Sequence, residues 1–234
     1  MDYLERERMT AIKQVRTNSS VVVVAHDLNL SIFNPLWLTK QRALREEELD
    51  FSKCAFTPAL IQIPTPDFNL LVLPDRLQLR FDPKRDDIES DLMRVLGTIV
   101  SSLPHTPYTA LGINFDYVLA PIRMEFENWN RTLFGSLFSQ RLAGGHDRYG
   151  AYFSTDILGF RRRVDCKPLR IRQNLAEELF SEGEEAVQIS INYHADLGQQ
   201  GAAPGPLEFL GKWSKVRDDA SRLISSLDEL SHAS

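Results

Sequence analysis

Two His-Asp dipeptides are the first places to look for chemistry, because adjacent histidine and aspartate side chains serve as paired ligands in metal-dependent phosphohydrolases. His26-Asp27 falls in a predicted strand, and His146-Asp147 falls in a glycine-rich loop. The sequence contains no H-x-x-x-H or C-x-x-C spacing of the kind that zinc sites use. We therefore expect both pairs to be polar surface residues, and we expect neither a bound metal nor a cofactor.

A catalytic nucleophile is equally hard to find. Cys166 has the basic neighbours Arg163 and Lys167, which can lower the pKa of a thiol, but these residues do not form a catalytic dyad. No G-x-S-x-G turn is present, and the glycine-rich residues 144–147 lack the lysine and the spacing of a phosphate-binding loop. The sequence predicts no catalytic residues, so we expect a protein that is not an enzyme.

The densest charge in the chain lies between residues 161 and 172, where six basic residues accompany one acidic residue. Such a stretch can contact a phosphate backbone or an acidic partner, and basic residues at 76 and 80 would extend it if the sheet brought them together. Its plainer interpretation is a solvated sheet edge, where basic side chains prevent unwanted strand pairing. The binding candidates of this group are Arg76, Arg80, Arg161, Arg162, Arg163, Lys167, Arg170 and Arg172.

Two further binding candidates, Asn114 and Asn192, lie in segments whose apolar and polar residues alternate without a fault, residues 111–117 and 187–193. Successive side chains of a strand point to opposite faces, so each segment presents one apolar and one polar face. This pattern is typical of an antiparallel sheet with one face packed and the other face wet or covered by a partner.

The elements that would position these residues predict an α+β fold, mostly an antiparallel sheet covered on one face by amphipathic helices. Short strands with turn residues between them indicate a meander, and three helical segments carry apolar stripes. A short charged helix is predicted at the N-terminus, followed by a strand. The predicted strands span 21–32, 55–63, 68–73, 76–81, 109–119, 149–154, 157–164, 168–172 and 187–195, and the predicted helices 2–17, 36–49, 86–103, 124–142 and 207–230.

Both halves of the chain contain short strands, then a strand with the pattern Ile-Asn-aromatic, and then a helix. The matching triplets are residues 113–115 and 191–193. We expect a single domain over residues 1–234, and an internal duplication, with halves 18–120 and 121–234, stays open as an alternative.

Composition narrows the class of protein. The 234 residues are 43% hydrophobic with a net charge of −5, which argues against the broad basic surface of a general nucleic-acid binder. The chain has only two cysteines, and its N-terminus shows no apolar stretch of the kind that signal peptides carry. The longest aliphatic run, residues 21–24, is far too short for a membrane span. We expect a soluble, cytoplasmic protein that does not bind a membrane.

These observations favour a non-catalytic protein-binding or assembly subunit that docks onto itself or onto a larger protein. The alternative is a metal-dependent enzyme that acts on nucleic acid or a phosphorylated ligand through residues 161–172. That alternative would gain support if Asp116, Asp147 and Asp156 came within reach of one metal ion. A third hypothesis, capture of an extended peptide, predicts an exposed apolar groove.

Overall fold

A nine-stranded, fully antiparallel sheet forms the centre of the computed structural model, which describes residues 11–135, 148–173, 175, 179–198 and 204–232. Its strand order is β2-β3-β4-β5-β1-β6-β9-β8-β7. The strands are β1 (Ile12–Ala25), β2 (Ala55–Phe56), β3 (Ile61–Pro64), β4 (Phe68–Leu73), β5 (Arg76–Phe81), β6 (Tyr108–Pro121), β7 (Ala151–Ile157), β8 (Phe160–Arg170) and β9 (Glu185–Asp196).

Five helical segments accompany the sheet in the described ranges. The second of them is continuous but contains a π-type turn at Met93–Gly97 between its two α-helical ends. None of the described helices is long and apolar enough to cross a membrane. The helices are α1 (Pro35–Lys40), α2 (Glu89–Leu92, Met93–Gly97 and Thr98–Ser102), α3 (Phe126–Phe134), α4 (Pro204–Leu210) and α5 (Trp213–His232).

The α+β class and the antiparallel sheet agree with the sequence-based expectation. The two alternating segments lie in β6 and β9, which are neighbours at the middle of the sheet, with Asn114 opposite Asn192 and Phe115 opposite Ile191. Phe115 and Tyr193 are fully buried, as one-sided strands require. The strand order runs from one proposed half into the other through β6 and β9, while the single domain and the duplication stay predictions.

The start of the chain departs from its prediction. The described part of the predicted helix 2–17 is strand β1, whose register with β6 begins at Ile12 opposite Pro121. β6 supplies a long partner for this segment, and that pairing outweighs the local helical tendency of its charged residues. β1 also ends at Ala25 instead of continuing to residue 32, because Asp27 adopts a positive φ of 53° and a 3₁₀ turn, Leu30–Ile32, follows.

Helical side chains pack against the sheet face that carries Phe81, Phe115 and Tyr193. Trp213 at the start of α5 lies with its ring centroid 5.2 Å from that of Phe115 and 6.2 Å from that of Phe81. The Tyr193 hydroxyl donates a hydrogen bond of 2.7 Å to Asp219 of α5. Burial of these large aromatic side chains supplies much of the hydrophobic stabilisation of the fold.

A smaller apolar cluster lies on the opposite face, at the end of the sheet near Val118 and Ala120 of β6. Phe180, which is fully buried, and Ile171 cover these two residues. The opposite face is therefore covered at this end by the chain between β8 and β9. Beyond it, the face carries polar side chains together with half-buried aliphatic ones such as Val22 and Leu71.

Candidate functional site

A row of polar side chains crosses the opposite face of the sheet from β5 to β8. The strand registers place Arg80 opposite Ser20, Ser20 opposite Asn114, Asn114 opposite Asn192, and Asn192 opposite Arg163. We call these five residues the polar row. Its two arginines stand four strand spacings apart, which corresponds to about 19 Å between their Cα atoms.

The centre of the polar row is held by side-chain hydrogen bonds. Asn192 Nδ2 donates to Asn114 Oδ1 over 2.6 Å, and Asn114 Nδ2 reaches Ser20 Oγ over 3.5 Å. Within the described ranges, no hydrogen bond or ion pair engages the exposed side chains of Arg80 and Arg163. The structure thus brings together four of the predicted binding residues, Arg80, Asn114, Arg163 and Asn192.

The other basic candidates do not share one surface. Arg161 and Lys167 lie on the same face as the polar row. Arg161 forms an ion pair with Asp156, and Lys167 forms one with Asp165, so a carboxylate neutralises each positive charge. Arg76 lies 3.4 Å from the carboxylate of its neighbour Asp75, also on that face. Arg162 points to the helical face of the sheet, where it binds Asp219 of α5. The last two, Arg170 and Arg172, are exposed at and beyond the end of β8.

The interpretation of residues 161–172 as a sheet edge is wrong for residues 161–166, which lie between β9 and β7. Residues 167–170 of β8 pair with β9 alone in the described chain, so that part of the stretch does lie at an edge. The strand at the end of the sheet is β7, which the sequence analysis did not single out. The one local signal in the sequence was Gly159, which the sequence analysis placed inside the predicted strand 157–164. In the structure Leu158 and Gly159 form a hairpin turn in which both residues have positive φ, 57° and 84°. Such a two-residue turn joins β7 to β8 so tightly that the two strands must be neighbours.

The candidates for catalysis find no supporting geometry in the part of the chain that the structure describes. No three His, Cys, Asp or Glu side chains come together there as a set of metal ligands. Asp116 accepts a hydrogen bond from Asn18, and Asp156 lies three strands away, while Asp147 falls outside the described residues. Burial raises the pKa of the Cys166 thiol to about 12, so this cysteine is not a thiolate near neutral pH.

A second surface combines the edge strand β7 with an apolar groove on the helical side of the sheet. β9, β8 and β7 form the floor of this groove, and α3 and α5 form its walls, around a volume of about 690 Å³. Beside it, large apolar side chains face solvent, with 62% of Tyr152, 56% of Phe153 and 55% of Leu230 exposed. We call this surface the edge groove; its lining includes Leu133, Phe134, Phe153, Thr155, Val164, Cys166, Ile189, Leu227 and Leu230.

The hairpin geometry decides which backbone groups of β7 point away from β8. In a two-residue hairpin the pair next to the turn, Ile157 and Phe160, exchanges both hydrogen bonds, and bonded pairs then alternate along the ladder. Thr155 and Phe153 are therefore bonded to β8. The N–H and C=O groups of Tyr152, Ser154 and Asp156 point to the outer side, where the described chain has no further strand.

A buried polar cluster fixes the wall of the edge groove. Asp219 of α5 accepts hydrogen bonds of 2.7 Å from both Arg162 Nη1 and the Tyr193 hydroxyl. Burial and the bond to Asp219 raise the pKa of Tyr193, so its hydroxyl stays protonated and remains a donor at neutral pH. This charge-assisted cluster ties α5 to β8 and β9.

Comparison with known protein-family models, curated proteins and solved structures finds no match for this chain. The function must therefore be argued from the two surfaces themselves.

Proposed function

We propose that this protein is a non-catalytic protein-binding subunit, and that it docks an extended segment of a protein along the outer side of β7. In this proposal the helices cover one face of the sheet, and the polar row lies on the other face. β7, at the end of the sheet, is then the strand whose side chains are exposed on both faces. The observation that carries it is the exposed pair Tyr152 and Phe153 on an end strand, directly beside the edge groove.

The backbone of β7 provides the affinity in this proposal. The outward N–H and C=O groups of Tyr152, Ser154 and Asp156 offer six hydrogen-bonding positions to an added strand. Peptides that extend a sheet in this way gain main-chain hydrogen bonds irrespective of their sequence. Each such bond contributes about 1 kcal/mol net, so the backbone alone supports binding but not selectivity.

The edge groove provides the selectivity. Side chains of an added strand alternate between the two faces, so every second residue would point to the helical side, next to Phe153 and Thr155. The remaining residues would point to the face of Tyr152 and Ser154. We therefore expect a bound segment to alternate apolar and polar residues, with the apolar ones beside the groove.

Contiguous exposed apolar surface often marks an interaction site, and the exposed side chains of Phe153 and Leu230 both line the edge groove. Most natural end strands are short or charged, which prevents unwanted pairing. β7 has seven residues, of which Asp156 alone is charged, and that charge is already paired with Arg161. These features favour docking of a strand over a solvated edge.

The nucleic-acid alternative keeps one supporting observation, the two arginines of the polar row on the same face. Its metal-dependent chemistry has no ligand set among the described residues. Among the described strand residues, that face presents one exposed aromatic side chain, Tyr152, and it lies outside the polar row and not between the two arginines, whereas stacking of single-stranded bases uses interleaved aromatic side chains. Contact with nucleic acid stays a prediction and is not part of the proposed function.

A display library of linear peptides, each long enough to span β7, tests the proposal directly. We expect selection on the wild-type chain to enrich peptides with alternating apolar residues. The same peptides should lose at least about tenfold in affinity for Phe153→Asp, which places a charge beside the groove without removing a bond to β8.

Phe51→Asp is the matched control, because Phe51 is 66% exposed and lies in a turn between α1 and β2. It should bind the enriched peptides as the wild type does. The proposal fails if no peptide family is enriched, or if Phe51→Asp and Phe153→Asp weaken binding equally.

A further inference from the structure

We infer that the segment which docks on β7 is β7 of a second copy of this chain, in an antiparallel pair about a two-fold axis at Ser154. The inference rests on the proposed function and names its partner. Most homodimers are related by such an axis, which requires a surface that is complementary to itself. Three properties of β7 meet this requirement.

The first property is the register. Only residues with outward backbone groups, Tyr152, Ser154 and Asp156, can form bonded pairs across the axis. When Ser154 faces its own copy, Ala151 faces Ile157 of the second copy, so the whole strand Ala151–Ile157 is paired. A shift of the axis by one residue in either direction leaves two residues at one end of each β7 without a partner in the strand. The Ser154 register is therefore the one that uses every outward group.

The second property is the side-chain pairing on the face of the polar row. In this register Tyr152 lies opposite Asp156 of the second copy, and Ser154 lies opposite Ser154. No like charges oppose each other, because Asp156 faces a tyrosine and remains paired with Arg161 of its own chain. With the axis moved to Asp156, the two Asp156 carboxylates would face each other, which is destabilising. The charges therefore favour the same register, with the axis at Ser154, as the number of paired residues does.

The third property is the continuity of the apolar surface. On the helical side, Phe153 lies opposite Thr155 of the second copy, in a pair without backbone hydrogen bonds, where side chains approach most closely. The two copies of Phe153 then stand in diagonal positions, within reach of each other for aromatic rings. The two edge grooves join around these rings, and the 56% of Phe153 that is exposed in one chain becomes covered.

Disulfide formation tests both the pairing and its register. Bonded pairs have Cα atoms about 5.5 Å apart, within the range that a disulfide spans. We expect Ser154→Cys to form a covalent dimer under mild oxidation of the full chain. Tyr152→Cys should not, because its own copy lies four residues farther along the partner strand. Wild-type protein treated in the same way controls for Cys54 and Cys166.

Sedimentation of the full chain supplies the second measurement. The wild type should show a reversible monomer–dimer equilibrium. Ser154→Pro removes an N–H that crosses the axis and that β8 does not use, so we expect a rise of about thirtyfold or more in the dimer dissociation constant. Ser154→Ala keeps that N–H and should dimerise as the wild type does.

A wild-type chain that stays monomeric throughout the accessible concentration range would overturn the inference, as would cross-linking of Tyr152→Cys instead of Ser154→Cys. Peptides enriched by a monomeric chain would still support the proposed docking of an extended segment. The two claims can therefore fail separately.

Discussion

At the scale of single residues, charged side chains do more to hold elements together than to form a site. Glu48 is buried in the loop after α1 and binds two guanidinium groups, with Oε1 at 2.8 Å from Arg45 Nη2 and from Arg94 Nη2. Arg94 also donates to Asp91 and to the carbonyl of Ala43. This network fastens the irregular loop to α2, and none of its residues had been proposed for binding or catalysis.

The lowered pKa values of the carboxylates in this network mean that the stability of the fold decreases at acid pH. Burial favours the neutral form of Glu48, but hydrogen bonds from Arg45 and Arg94 outweigh it, so its pKa is lowered from 4.5. The pKa of Asp91 is lowered from 3.8 in the same way, by Arg94 and Arg85. A lowered folded-state pKa means that this stabilisation is present above the unfolded-state pKa and is lost as the pH falls through the folded-state pKa.

We predict that Glu48→Gln lowers the free energy of unfolding by about 2 kcal/mol at neutral pH, because the hydrogen bonds from the two guanidinium groups of Arg45 and Arg94 lose their anionic acceptor. The deficit should shrink as the pH falls below about 4.5 and through the lowered pKa of Glu48, since the wild type loses the same charge there. Urea unfolding across this range measures both effects.

Glu47→Gln is the control for that series, because Glu47 is exposed and reaches Arg45 only at 3.8 Å. It should follow the wild type at every pH. A Glu48→Gln deficit that stays constant as the pH falls to the acid unfolding of the wild type would contradict the assigned role of the Glu48 charge.

At the scale of elements, the β7–β8 hairpin is the feature on which the docking surface depends. Its turn places Leu158 at φ 57°, a conformation that costs a residue with a Cβ about 1–2 kcal/mol. Asparagine tolerates this conformation, and Asn-Gly is the preferred sequence of such turns. The turn is therefore strained in the wild type, although the strand pairing on either side of it is regular.

We predict that Leu158→Asn raises the free energy of unfolding by about 1 kcal/mol and leaves the affinity of β7 for its partner unchanged. Denaturant unfolding of the monomer measures the first effect. Leu158→Ala keeps the Cβ and its strain, so it should not gain stability. An equal gain in both variants would show that the exposed leucine side chain, and not the turn conformation, is responsible.

The sequence predicted elements well where local signals mark both ends. β4 and β5 have the predicted bounds because Pro74-Asp75 lies between two alternating runs, and α2 follows its apolar stripe. The start of β1 was wrong because its partner β6 lies about 100 residues away, and no local pattern reports that pairing. The polar faces of β6 and β9 were predicted, since alternation alone assigns Asn114 and Asn192 to them.

Strand order could not be predicted, and the site depends on it. The alternation of β5 and β8 gives no indication that Arg80 and Arg163 stand in one row, because the row runs through three other strands. The edge groove could not be predicted for the same reason. An end strand can be identified only when the order of all the strands in the sheet is known. The exposed Tyr152 and Phe153 looked in the sequence like ordinary strand residues.

At the scale of the whole molecule, the two faces of the sheet differ from each other, and so do its two end strands. α5 and α3 pack on one face, and the polar row and the cover around Phe180 occupy the other. β2, at one end of the sheet, has only two residues, whereas β7 at the other end has seven. An asymmetric sheet of this kind can extend in one direction only, which predicts closed pairs of chains and no open filaments.

Residue-resolved amide hydrogen exchange along β7 tests the central claim most directly. In dilute protein, we expect the amides of Phe153 and Thr155 to be protected by β8, and those of Tyr152, Ser154 and Asp156 to exchange rapidly. When the protein is concentrated, or when an enriched peptide is added, these three amides should become protected, while Phe153 and Thr155 change little. Rapid exchange of all three under every condition would contradict docking at β7.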